Sequence, residues 1–133
     1  MKNILFIITA VFFLIAGCNN STEDSVVSPG SGNSSPRTPS SPVPANGTLI
    51  TSGSFVTLQW TCSDPDAGDS LKYTVYFDNN SSPTTVLAAD IINPAKDVGR
   101  PGPGATYYWK IVAKDNHGHS TSGPVWSFTT TSD

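Results

Sequence analysis

From residue 42 onward, apolar side chains recur at every second position, the period of a strand with one buried face. Val56-Thr57-Leu58-Gln59-Trp60 alternates apolar with polar. Leu71, Tyr73, Val75 and Phe77 take one side of the next run, with Lys72, Thr74 and Tyr76 on the other. Tyr107, Trp109, Ile111 and Ala113 form a third set, opposed by Tyr108, Lys110 and Val112, while Trp126 and Phe128 mark a last strand. Weaker strands are expected at 47–50, 85–89 and around Asp97 and Val98. No helical apolar period interrupts this pattern. Turn-forming clusters separate the runs at Asp64-Pro65-Asp66-Ala67-Gly68-Asp69, Asn79-Asn80-Ser81-Ser82-Pro83, Pro101-Gly102-Pro103-Gly104 and Asn116-His117-Gly118. The spacing predicts an all-β sandwich of about seven strands over residues 42–131. Its core rests on Trp60, Tyr73, Phe77, Tyr107, Trp109, Trp126 and Phe128.

The first 41 residues have a different chemistry. Lys2, an apolar stretch from Ile4 to Ile15, and the small residues Ala16 and Gly17 form a three-part export signal over residues 1–17. About a dozen apolar residues fall short of the ~20 that a helix needs to cross the hydrocarbon core, which argues against an uncleaved anchor. A secretory signal with a chance cysteine is the other reading. Ile15-Ala16-Gly17-Cys18 resembles the lipobox of bacterial lipoproteins. That resemblance implies a diacylglyceryl group on the Cys18 sulfur, cleavage before Cys18, and a lipid-anchored place in a bacterial cell envelope. Asn19 is not the aspartate that commonly retains such proteins at the inner membrane, so the resemblance implies the outer membrane in a Gram-negative cell. In a Gram-positive cell it implies the plasma membrane.

Residues 18–41 carry the anchor cysteine and then serine, proline, glycine, asparagine and threonine, with Val26 and Val27 among them. Such a segment buries too little surface to offset chain entropy and is expected to be a disordered linker. Fully extended it reaches about 75 Å, and as a coil roughly 25 to 30 Å. Cys18 and Cys62 are the two cysteines. If Cys18 becomes a thioether, Cys62 has no partner within the chain, and its placement at a strand end suits a small buried hydrophobe better than a reactive thiol.

Leu58-Gln59-Trp60, Tyr73-Thr74-Val75-Tyr76-Phe77 and Pro103-Gly104-Ala105-Thr106-Tyr107-Tyr108-Trp109-Lys110-Ile111-Val112-Ala113 resemble the fibronectin type III pattern. Bacterial extracellular versions often end like Gly123-Pro124-Val125-Trp126-Ser127-Phe128-Thr129-Thr130. The resemblance implies an immunoglobulin-like sandwich in which Trp60 is the core tryptophan of the second strand. It also implies that Tyr107 makes a tyrosine corner, its hydroxyl bonding backbone upstream. Pro101 stands where the family commonly has a buried leucine, a gap that Val98 is placed to fill.

Catalytic motifs are missing from the sequence. There is no Gly-x-Ser-x-Gly elbow, no His-Glu-x-x-His pair and no phosphate-binding glycine loop, so no enzyme and no cofactor are expected. Asp64, Asp66 and Asp69 are weak calcium candidates, because their spacing fails the calcium-loop template and a solvated turn explains them as well. His117 and His119 could share a transition metal in an extended segment, but two ligands do not make a site.

The surface offers more. Fibronectin type III topology implies that Tyr76, Tyr108, Lys110, Val112 and Val125 face outward together, bordered by Thr74. Tyrosines in one apolar patch suit a protein or glycan partner. Plain cover for the sheet is the competing reading. Net charge is −3, and loss of Lys2 with the leader leaves six basic against ten acidic side chains, with no basic stripe for nucleic acid. The expectation is a monomeric, membrane-anchored extracytoplasmic lipoprotein presenting a non-catalytic module for protein or cell-surface interaction. A glycan-binding accessory and an envelope spacer without a specific ligand are the alternatives.

Overall fold

The computed structural model describes residues 32–133. Cys18, the leader 1–17 and linker residues 19–31 lie outside them. Nine strands and no helix form among the described residues: β1 (Ser40–Val43), β2 (Thr48–Ile50), β3 (Val56–Thr61), β4 (Leu71–Asp78), β5 (Val86–Ile91), β6 (Ala95–Gly99), β7 (Thr106–Asp115), β8 (Ser120–Ser122) and β9 (Trp126–Thr130). They make a three-stranded sheet ordered β1-β3-β6 and a larger one ordered β2-β9-β7-β4-β5, with β8 also on β7.

Alternation along each strand decides which side chains meet between the sheets. Val56, Leu58 and Trp60 of β3 are buried while Thr57, Gln59 and Thr61 are exposed. They pack against Tyr73, Val75, Trp109, Ile111, Ala113, Trp126 and Phe128 of the larger sheet. Each large side chain buried in this way contributes roughly 1.5–3 kcal/mol. Ring contacts give the core its geometry: Trp60 meets Tyr73 edge-on at 5.3 Å, and Trp109 meets Trp126 at 4.7 Å. Trp60 takes the core position expected of it. Among the described residues, its Nε1 and that of Trp109 are buried without hydrogen-bond partners.

The weaker strands all form. β6 pairs with β3, and its Val98 packs half-buried against the core. At its end, Gly99 adopts φ +76°, where the register against β3 shifts by one residue. That left-handed conformation suits glycine.

Two strands have no counterpart in the sequence reading, because neither alternates. β1 is an edge strand, where Pro42 costs no ladder bond. β8 is all serine and threonine and continues β9 through an irregularity: Val112 faces Ser122 and Trp109 faces Trp126, so β7 advances three residues while its partner advances four. The extra residue is a bulge around Gly123, Pro124 and Val125.

The packed chain also begins earlier than the expected boundary between residues 41 and 42. Pro36 and Pro39 are buried. Arg37 N donates to Ser63 O at 2.9 Å, and Thr121 Oγ1 donates to Pro36 O at 2.6 Å. Residues 33–39 form a strap across the sandwich, since proline rings carry apolar surface that a count of linker-type residues does not register.

Candidate binding face and carboxylate cluster

The ladder between β4 and β7 runs unbroken from Leu71 opposite Asp115 to Asp78 opposite Tyr108. It sets the outer face of the larger sheet. Tyr76 pairs with Lys110, and Lys110 Nζ lies 4.7 Å over the Tyr76 ring. On one side Val86 of β5 is opposite Tyr76. On the other, the ladder with β9 ends where Trp109 pairs with Trp126, and Val125 lies in the irregular stretch just before that strand. Val86, Tyr76 and Lys110 thus cross three strands in one row, about 10 Å at the usual strand spacing. Val86 is 50% exposed and Val125 39%. Tyr108 lies in the next row between Asp78 and Ser127, and Val112 lies between Thr74 and Ser122.

The register places Tyr76, Tyr108, Lys110 and Val112 on one side of β4 and β7, while Val125 lies outside the strands. Val86 was missed. Its strand carries little alternation, and its partner strand could not be read from local pattern.

The tyrosine corner is present but long. Tyr107 Oη donates to Gly102 O at 3.4 Å, while Thr130 Oγ1 donates to the same carbonyl at 2.6 Å. The shorter bond is the stronger one. Tyr107 is instead held by its ring, stacked with Phe77 at 5.3 Å and Phe128 at 5.4 Å.

At one end of the sandwich the acidic groups divide differently from the sequence expectation. Asp66 is turned aside, its Oδ2 accepting from Ser34 N at 2.6 Å. Asp64 and Asp69 are joined by Asp115, with one oxygen of each within 4.8 Å of the others. Asp115 organises the turn after β7: its Oδ1 accepts from His117 N and His119 N, both at 2.8 Å, and Gly118 at φ +98° closes the loop. Burial opposes its ionisation, but the Asn33 amide and the backbone N–H groups of His119, His117 and Gly118 outweigh that and hold its carboxyl below the usual range. Sequence distance hid this residue from the acidic turn it completes.

His117 and His119 are each turned to a different carboxylate. Nδ1 of His117 lies 3.2 Å from Asp69 Oδ2, and Nδ1 of His119 lies 3.3 Å from Asp115 Oδ2. Cys62 is half-buried, and its Sγ donates to Arg37 O at 3.0 Å. Burial pushes its thiol up, which suits a packing role.

No protein-family model matches the sequence, and no curated protein matches it. Solved structures do. The solution structure of the fibronectin type III domain of human fibronectin type III domain containing protein 3 is similar at 27% identity and TM-score 0.53, over 78% of this chain and 94% of that one. The fibronectin(III)-like modules of Clostridium thermocellum CbhA are similar at 21% identity and TM-score 0.50, over 71% and 93%. Streptomyces avermitilis α-L-rhamnosidase, complexed with L-rhamnose, is similar at 16% identity and TM-score 0.50, over 73% of this chain and 10% of that one. The described domain has a fibronectin type III-like fold.

Proposed function

We propose that the chain is a membrane-anchored extracytoplasmic lipoprotein that presents its fibronectin type III-like module, without catalysis, to a protein partner at the cell surface or within the envelope. The row of Val86, Tyr76 and Lys110, with Tyr108 and Val112 on the same face and Val125 exposed just before β9, is the observation that carries this reading. Tyrosines give large contact area at low conformational cost, and Val86 and Val112 on the same face add apolar area. A lone cation above Tyr76 supplies orientation more than affinity. Lipid on Cys18 would hold the module at a membrane, because two or three acyl chains anchor where one binds only marginally.

The test is a Tyr76→Ala, Tyr108→Ala double variant, assayed by crosslinking in cells and by melting temperature. Both side chains are only part-buried on the outer face, so the expected melting temperature stays within a few degrees of the parent. The crosslinked partner is expected to disappear. Loss of folding with the partner retained would show instead that the tyrosines cover the sheet, and a captured polysaccharide in place of a protein would favour the glycan reading.

A further inference from the structure

Asp64 and Asp69 belong to the turn between β3 and β4, and Asp115 ends β7. These three carboxylates come together although a sequence distance of some fifty residues separates the last from the first two. The Asp69 side chain is 8% exposed and that of Asp115 0%. Asp64 Oδ1 accepts from Asp66 N at 2.9 Å, which leaves Oδ2 as its remaining oxygen. That Oδ2 is shielded from solvent and has no hydrogen-bond partner among the described residues.

An ionised carboxylate oxygen withdrawn from water is costly unless a donor or a cation meets it. No lysine or arginine among the described residues forms a salt bridge to the three carboxylates; the cationic candidates are the two histidines, each about half exposed. Acceptor groups are gathered here and a counter-charge is called for.

We infer that Asp64, Asp69 and Asp115 form a binding site for a hard divalent cation of the calcium class. Carboxylate oxygen from separate loops suits such an ion, and calcium's tolerance of irregular coordination favours it over magnesium, which demands a near-ideal octahedron. The ion ties the β3–β4 turn to the end of β7. It also reaches the strap, because Asn33 Nδ2 donates to Asp115 Oδ2 at 2.7 Å and Ser34 N donates to Asp66 in the same turn. The cation therefore fixes the root of the domain where the tether enters it.

The experiment is calorimetric titration of the detergent-solubilised full chain with calcium, magnesium and zinc chlorides, paired with thermal melting in each and in chelator. The expected calcium Kd lies around 10⁻⁴ to 10⁻³ M, the range of extracellular modules, and about 10 mM calcium should raise the melting temperature by roughly 6 to 13 °C. Asp64→Asn and Asp69→Asn should each weaken calcium binding at least ~10-fold, given how strongly ligand charge tunes such sites. Asp66→Asn, outside the cluster, should leave it within about twofold. If Asp64→Asn does not fold, Asp69→Asn carries the same test. Absence of calcium heat and of a melting shift overturns the site, as does binding that survives both cluster variants or is lost equally in Asp66→Asn. Zinc binding without calcium binding overturns it too, by assigning the ion to the histidines.

Discussion

Asp78 closes β4 and caps the next turn with both carboxylate oxygens. Its Oδ1 accepts from Asn80 N at 2.7 Å, and its Oδ2 accepts from Thr84 N at 2.9 Å and Thr85 N at 3.0 Å. The N–H groups of Thr85 and Thr84 hold its carboxyl down to about 2. A folded carboxyl that titrates below its unfolded value of about 4 contributes stability that is fully present above that value. This contribution is lost as the pH falls through about 2. The urea midpoint of the parent should therefore exceed that of Asp78→Asn near neutral pH, with the difference shrinking between about pH 4 and pH 2. A difference constant across that window would overturn the assignment. From sequence, residues 79–83 read as a turn, but Asp78 read only as the end of a strand. Composition marks where a turn is; which side chain caps it depends on three backbone donors converging, and that is a tertiary fact. Asp115 is the same lesson over a longer reach, since it lies past the last alternating residue read from sequence, Ala113, and nothing local placed it against Asp64 and Asp69.

Elements with period-two alternation were legible, including the inward apolar residues of β3, β4, β7 and β9, though not buried Asp115 and Thr130 at the ends of the last two. Those that lean on a neighbour were not: β1, β8 and the strap at residues 33–39 are mostly serine, threonine and proline, and their order comes from the surfaces beneath them. The strap makes a sharp prediction through Gly123. A Cβ there would stand 3.1 Å from Ile111 O and 3.2 Å from the Cβ of buried Pro39. Gly123 N also donates to that Ile111 carbonyl at 2.7 Å, so the backbone cannot simply withdraw. Gly123→Ala is expected to destabilise the domain by about 1 kcal/mol or more, in the manner of an overpacked site, and to loosen the strap before the sheets. Arg37 supplies the readout. It is the one basic residue between Lys2 and Lys72, and its backbone is pinned from both sides, by Ser63 O and by Cys62 Sγ. Trypsin should cut after Arg37 slowly in the parent and several-fold faster in Gly123→Ala, while equal rates would mean that Pro39 does not hold the strap.

At the scale of the molecule, the strap alters what the N-terminal segment can do. If residues 33–39 lie on the domain, the stretch free to separate Cys18 from the fold is residues 19–32, which spans at most about 50 Å, against the roughly 75 Å expected when the linker was taken to run to residue 41. Under the proposed anchoring by Cys18, the shorter reach would keep the module nearer the membrane than the full linker would. Detergent partition tests the anchor: the parent should enter the detergent phase and Cys18→Ala the aqueous phase, because the remaining chain has no polybasic segment to bind anionic lipid. Protease treatment of membranes tests the geometry at the same time. An enzyme that cuts after small residues should release the domain through Val26, Val27 or Ser28, whereas trypsin should leave it attached, since Arg37 lies on the docked side. Release by trypsin at a comparable rate would return the linker to its full expected length. Treating intact and lysed cells in parallel decides the facing, because a surface-displayed module is released without lysis and one enclosed by an outer membrane is released only after it.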